Sequence, residues 1–138
     1  MTQPLLKAIA APPVTVLLVE PEVLARMILA DYLRGCGYVV HETASGEEGL
    51  EALRGQMEID VVLAEINEIG SMNGFEFAHT VRDLHPGVEV LLTASLANAA
   101  ERCHELCEHR IVKKPYTPQE IVNQINILRQ KRRGRGRF

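Results

Sequence analysis

The sequence has no tryptophan, and aromatic residues make up only 4% of its 138 positions. A chain of this length can bury a core without covalent staples, and here that core must be built from Leu, Val, Ile and Ala. No apolar run approaches the roughly 20 residues that a membrane helix needs, so no membrane partner is expected. Only three cysteines are present. Without a recognisable export signal, they predict free thiols in a reducing, cytoplasmic setting.

Charge is distributed unevenly along the chain. Apolar residues make up 46% and charged residues 24%, a balance typical of a globular protein. Residues 129–138 contain six positive residues and no acid, which leaves nine positive and eighteen acidic residues elsewhere, a net charge of −9. We therefore divide the chain into a flexible N-terminal arm at 1–13, one domain at 14–128 and a basic C-terminal tail at 129–138.

Short apolar segments alternate with helix-like segments. The segments at 14–19, 38–43, 59–64, 88–92 and 111–112 are typical of strands. Helices are predicted to open at Pro21 and Glu22, after Ser45, after Asn73, over 97–109 and after Thr117. Repeated strand–helix units predict an α/β fold, in which a doubly wound parallel sheet carries helices on both faces.

The positions just after the predicted strands carry polar side chains. Glu20 follows the first strand, Glu65 the third, Thr93 the fourth and Lys114 the fifth. Functional sites of open parallel sheets lie beyond the carboxyl ends of the strands, so these four side chains are expected to converge. A lysine and a hydroxyl could bind a phosphoryl group there, and carboxylates could hold Mg²⁺ opposite it.

Five segments in order resemble the receiver domain of bacterial response regulators. They are VLLVEPE at 16–22, DVVLAE at 60–65, GSMNGFE at 70–76, LLTA at 91–94 and KKPY at 113–116. The resemblance covers about residues 14–128. It implies a flavodoxin-like (βα)5 sheet in the strand order 2-1-3-4-5. It also implies a role in two-component phosphorelay signalling, as the phospho-accepting partner of a histidine kinase.

The sequence departs from the family at its phosphorylation site. The resemblance places the phosphoacceptor aspartate at Glu65, and the paired metal-binding acids at Glu20 and Pro21, with Glu22 next to them. Proline offers no ligand, so no cofactor is expected and Mg²⁺ is expected to bind only weakly. Thr93 and Lys114 stand where the family contacts the phosphoryl group.

Two further departures concern the switch and the loop after the third strand. Ile111 replaces the aromatic residue that in the family rotates in step with the hydroxyl. The loop between Glu65 and Gly74 is one residue longer than is usual, and Ile69 stands where a proline is common. The resemblance therefore implies a receiver whose site, loop and switch all differ from the family pattern.

Two interpretations of Glu65 remain open from the sequence. In the first, its longer side chain carries negative charge towards Thr93 and Lys114 and imitates the phosphorylated state. In the second, Glu65 and Lys114 form an ion pair in a site that has decayed. Whether Glu65 is natural or engineered also stays open.

Our first functional hypothesis is a stand-alone, non-enzymatic pseudo-receiver that binds a protein partner, such as a histidine kinase or another signalling protein. The binding face would combine the predicted helix at 97–109, the strand at 111–112 and the helix after Thr117. A homodimer is a further option. The alternative is a working response regulator that is phosphorylated at Glu65.

Two other groups of residues are weaker signals. Cys103 and Cys107 would share a helix face beside His104 and His109, but no second ligand pair accompanies them, so packed cysteines are favoured over a metal site. The tail at 129–138 has one aromatic residue and no nucleic-acid domain beside it. A solvated helix end is therefore favoured over a nucleic-acid role, which stays an alternative.

Overall fold

The computed structural model describes residues 12–55, 58–67, 69–95, 110–114 and 116–135. Five parallel strands form one sheet in the order 2-1-3-4-5, as the resemblance implies. They are β1 Thr15–Val19, β2 Val39–Thr43, β3 Val61–Glu65, β4 Glu89–Ser95 and β5 Arg110–Lys114. Four helices are described, α1 Val23–Gly35, α2 Gly46–Arg54, α3 Gly74–Leu84 and α4 Pro118–Arg135. The predicted helix over 97–109 lies outside the described residues.

The core lies on both faces of the sheet, because alternate side chains of each strand point to opposite faces. Leu17 and Val19 of β1 pack with Phe77 of α3 and Leu53 of α2 in one buried cluster. Val16 and Leu18 of β1 point to the other face and belong to a second cluster. Its members from α1 and α4 are Leu29, Ala30, Leu33, Ile121, Val122, Ile125 and Leu128. The central strands are therefore covered on both sides, which explains their nearly continuous apolar sequence.

Side-chain caps fix where α2 and α3 begin. Asn73 and Glu76 form a capping box, in which each side chain accepts a hydrogen bond from the other residue's backbone N–H. Ser45 also accepts from the backbone N–H of Glu48, but the Glu48 carboxylate accepts from the Ser45 hydroxyl. α1 begins at Val23, after Pro21 and Glu22 and not at them.

The last helix is longer than the predicted apolar stripe. It continues seven residues past Leu128, to Arg135, so most of the basic segment is helical. Among the described helices, none combines the length and apolar character that crossing a bilayer requires.

Candidate functional site

Three polar side chains are buried at the carboxyl ends of the central strands. Ala64 of β3 pairs with Val19 of β1, so Glu20 and Glu65 follow next to each other, and Glu65 itself pairs with Thr93 of β4. Glu20, Glu65 and Thr93 are 6%, 5% and 3% exposed, and they are the only buried polar residues in the described part of the chain. The three sequence-predicted residues thus lie at one edge of the sheet.

Glu65 is bound by two neighbouring side chains. The Asn67 amide donates to its Oε1 at 2.9 Å, and the Thr93 hydroxyl donates to its Oε2 at 3.3 Å. The second distance is long for a hydroxyl donor, so Asn67 makes the stronger contact. A buried carboxylate is costly unless it is hydrogen-bonded, and these donors offset part of that cost. Both carboxylate oxygens are therefore engaged inside the protein.

Glu20 is likewise engaged with its own neighbours. Its Oε2 accepts the backbone N–H of Glu22 at 3.1 Å, and its carbonyl oxygen accepts from Nη1 of Arg26 at 2.8 Å. Arg26 also lies 3.8 Å from a carboxylate oxygen of Glu42. The Glu20 carboxylate thus binds the backbone just before α1, although no side chain caps the helix itself.

The residues present do not fit the Mg²⁺ ion that the resemblance implies. Pro21 has no oxygen ligand in its side chain, and Glu22 is exposed at the start of α1. Within the described residues, no group of three or more His, Cys, Asp or Glu side chains is placed to hold a metal ion. Mg²⁺ requires near-octahedral oxygen geometry, which this set of side chains does not supply.

Two predicted site residues lie on β5. Lys114 pairs with Ser95, and Ile111 pairs with Leu92. The backbone of Lys114 is therefore at the same sheet edge as Thr93, two register positions further along. The side chains of Lys114 and Ile111 lie outside the described part of the structure, as do Cys103, His104, Cys107 and His109.

Backbone hydrogen bonds fix the loop that follows Glu65. The N–H of Gly74 donates to the carbonyl oxygen of Ile66 at 2.9 Å, and the N–H of Gly46 donates to that of Ile69 at 2.6 Å. Ile69 is fully buried in the cluster below α3. The residue that replaces the family's usual proline is therefore an apolar anchor of this loop.

Glu47 holds the same loop from the start of α2. Its Oε1 accepts from both the backbone N–H and the hydroxyl of Ser71, at 3.0 and 2.9 Å. Gly70 has φ of +100°, and its missing Cβ leaves the space that the Glu47 carboxylate occupies. These hydrogen bonds, the backbone bond above all, lower the pKa of Glu47. Sequence reasoning missed Glu47 and Asn67, and only the position of Asn67, two residues after Glu65, could have indicated its contact.

Replacing Ser71 with alanine is expected to raise the pKa of Glu47 part of the way to its ordinary value. The hydroxyl bond is lost while the larger contribution, from the backbone N–H, remains. Because the pKa is depressed in the folded state, Glu47 contributes stability above the unfolded-state pKa of about 4.3. That contribution is lost as the pH falls through the folded value. Carboxyl ¹³C NMR titration measures the change.

Ser71→Thr keeps the hydroxyl and serves as the matched control, in which the pKa of Glu47 should stay low. An unchanged pKa in Ser71→Ala would mean that the hydroxyl does not bind Glu47 in solution.

Comparison with known proteins identifies the family. Residues 16–126 match the response regulator receiver domain. Over 129 residues the chain is 31% identical to the transcriptional regulatory protein PdtaR of Mycobacterium tuberculosis. The aligned region covers 92% of this chain and 62% of that protein. It is 28% identical over 120 residues to the sensor kinase CckA of Brucella abortus, covering 85% of this chain and 13% of the kinase. The chain thus spans less than two thirds of the length of either relative.

Solved structures share the fold. The signal receiver domain of an HD domain-containing protein from Pseudomonas fluorescens superposes with a TM-score of 0.81 at 19% identity, over 94% of this chain and 96% of that one. A streptococcal redox sensor, of a family that evolved from two-component response regulators, gives 0.79 at 20% identity, over 90% of this chain and 54% of that one. With the family match over residues 16–126, the chain belongs to the response regulator receiver domain family.

Proposed function

We propose that this receiver domain is a pseudo-receiver, which signals by binding a protein partner and is not switched by phosphorylation in the usual way. The observation that carries the proposal is the hydrogen bonding of the Glu65 carboxylate. This residue stands at the family's phosphoacceptor position, and both of its carboxylate oxygens already accept hydrogen bonds, from Asn67 and Thr93.

The geometry of phosphoryl transfer supports this proposal. The additional methylene of glutamate moves the carboxylate by about 1.5 Å relative to aspartate. Misplacing a reacting group by about 1 Å can cost roughly 100-fold in rate. Since Glu20, Pro21 and Glu22 do not fit a Mg²⁺ site, this edge of the sheet does not supply the divalent cation that would help to neutralise an incoming phosphoryl group.

The contact between Glu65 and Thr93 favours a partial imitation of the phosphorylated state. Thr93 is the hydroxyl that the family uses to contact the phosphoryl group, and here it donates to Glu65. One carboxylate has a single charge and two oxygens, whereas a phosphoryl group has up to two charges and three oxygens. Glu65 therefore holds Thr93 in one position more weakly than a phosphoryl group would.

The partner is a protein of two-component signalling, such as a histidine kinase, and the module itself catalyses no reaction. Residues 14–128 carry the domain, with an arm at 1–13 and the basic segment at 129–138 beside it. The binding face includes β5 and the start of α4, next to the edge that holds Thr93. The domain acts in the cytoplasm, where kinases of this kind have their catalytic parts.

Titration with Mg²⁺ and the phosphoryl mimic beryllofluoride, followed by backbone amide NMR, tests the proposal. No saturable shift is expected at the amides of Glu65, Ile66 and Thr93 up to millimolar concentrations. Saturable shifts at these amides would contradict the proposal and support phosphorylation at Glu65. In that event, small phosphodonors should label the protein in the presence of Mg²⁺, and Glu65→Gln should abolish the labelling.

The role given to Glu65 has its own matched pair of variants. Glu65→Gln removes the charge, so the amides of Asn67 and Thr93 should shift. Glu51→Gln makes the same change on the exposed surface of α2 and should leave them in place. If both variants gave the same spectrum at these amides, Glu65 would not hold Thr93.

A further inference from the structure

The last helix continues beyond the core that it helps to form. Leu128 is the final residue of its buried stripe, 7% exposed in the cluster with α1. The helical backbone then runs seven residues further, to Arg135, a length of roughly 10 Å. Gln130 and Lys131, the next described residues after Arg129, are both exposed.

Arg129 anchors the helix where it leaves the sheet. Its Nη1 lies 3.6 Å from Oδ1 of Asp60, and the other carboxylate oxygen of Asp60 accepts the backbone N–H of Thr15 at 2.9 Å. Asp60 precedes β3 and Thr15 begins β1, so this anchor is at the amino edge of the sheet, opposite Glu65. Arg129 therefore has a structural role and sets where the following residues leave the domain.

Four cations follow this anchor, in a segment that we call the basic helix end, residues 130–135. They are Lys131, Arg132, Arg133 and Arg135. The segment contains no acid, whereas the rest of the chain has eleven positive and eighteen acidic residues, a net charge of −7. At 100° per residue, positions 131, 132 and 133 occupy three different sides of the helix.

We infer that the basic helix end is a docking site for the phosphodiester backbone of a nucleic acid. Protein interfaces depend on apolar and aromatic anchors at their centre, and residues 130–135 contain none. Nucleic acid needs only cations, because neutralising phosphates releases condensed counterions. Three of the four cations are arginines, whose guanidinium groups bind phosphate oxygens in pairs.

The charge of the domain confines this contact to the helix end. A polyanion is repelled by a body of net charge −7 and attracted by the four cations beyond Arg129. Since contacts to phosphates carry no sequence information, binding should be independent of sequence. The inference does not depend on Glu65, because the two surfaces lie at opposite edges of the sheet.

Fluorescence anisotropy of the full chain with a 20-base-pair DNA duplex tests the inference, with single-stranded RNA and polyglutamate as parallel arms. If all four cations engage phosphates, raising salt from 50 to 200 mM should weaken duplex binding by up to roughly 150-fold. The variant with all four cations replaced by glutamine should lose binding to both nucleic acids. Tighter binding of the duplex or of the RNA would identify the natural source of the phosphates.

A matched pair of double variants distinguishes binding at this segment from a general effect of the protein's net charge. The double variant Lys131→Gln with Arg133→Gln should weaken nucleic-acid binding and reduce its dependence on salt. The double variant Arg54→Gln with Arg82→Gln removes the same charge from the rest of the domain and should leave binding unchanged. Equal losses in the two variants would overturn the inference. So would absence of nucleic-acid binding at 50 mM salt, or tighter binding of polyglutamate, which would indicate an acidic protein as the partner.

Discussion

Replacing Gly74 with alanine is expected to destabilise the domain by about 3 kcal/mol or more. A Cβ at this position would overlap the carbonyl oxygen of Glu65 and come within 2.5 Å of Cα of Ile66. Both neighbours are backbone atoms at the end of β3, so a side-chain rotation cannot relieve the contact. The free energy of unfolding from urea denaturation, monitored by circular dichroism, measures the loss.

Gly35→Ala is the matched control for this change. Gly35 is the last residue of α1, and a Cβ there meets nothing within 4 Å. Alanine is better than glycine in a helix by up to about 1 kcal/mol, so this variant should be slightly more stable than the natural chain. A loss below about 1 kcal/mol in Gly74→Ala would mean that the β3–α3 loop relaxes and that its approach to β3 is not obligatory.

The close approach at Gly74 also links stability to the site. Moving α3 away from β3 would shift the backbone of Glu65, the residue whose carboxylate binds Asn67 and Thr93. Gly74 therefore positions the site through the backbone. Its conformation is an ordinary one, and the constraint arises from the space between two elements.

The sequence was informative where a single segment determines its own structure. The sequence predicted that a helix begins after Asn73, and the structure confirms this, with a capping box between Asn73 and Glu76. β4 and β5 extend beyond their apolar segments, to Ser95 and over Arg110–Lys114, because pairing with a neighbouring strand defines where they end. Strand ends depend on such partners, which the pattern of one segment does not contain.

The same distinction applies to the site. Glu20, Glu65 and Thr93 could be predicted together because each ends a strand, and parallel strands bring their ends to one edge. The contact between Glu47 and Ser71 joins residues 24 positions apart. It depends on the path of the loop at Gly70, whose φ of +100° follows from the fold and not from a motif. Contacts of this kind, between a helix and a distant loop, could not be predicted from the sequence.

Introducing aspartate at positions 65 and 21 together is expected to raise the rate of phosphorylation by small phosphodonors by roughly 100-fold or more. Glu65→Asp withdraws the carboxylate from Asn67 and Thr93 by one methylene, which makes room for a phosphoryl group at the end of β3. Pro21→Asp adds the oxygen ligand that proline lacks beside Glu20. Acyl-phosphate formation in the presence of Mg²⁺, measured by intact-protein mass spectrometry, reports the rate.

The controls separate the two substitutions. The variant Glu65→Asp with Pro21→Asn has nearly the same shape as the double aspartate variant but lacks the carboxylate charge at position 21. It should be labelled more slowly if that carboxylate binds Mg²⁺. Glu65→Asn with Pro21→Asp should not be labelled, because it lacks the acceptor. A double aspartate variant that folds but stays unlabelled would show that residues 65 and 21 are not what blocks phosphorylation. The cause would then lie elsewhere at this edge, and the role proposed here for Glu65 would be wrong.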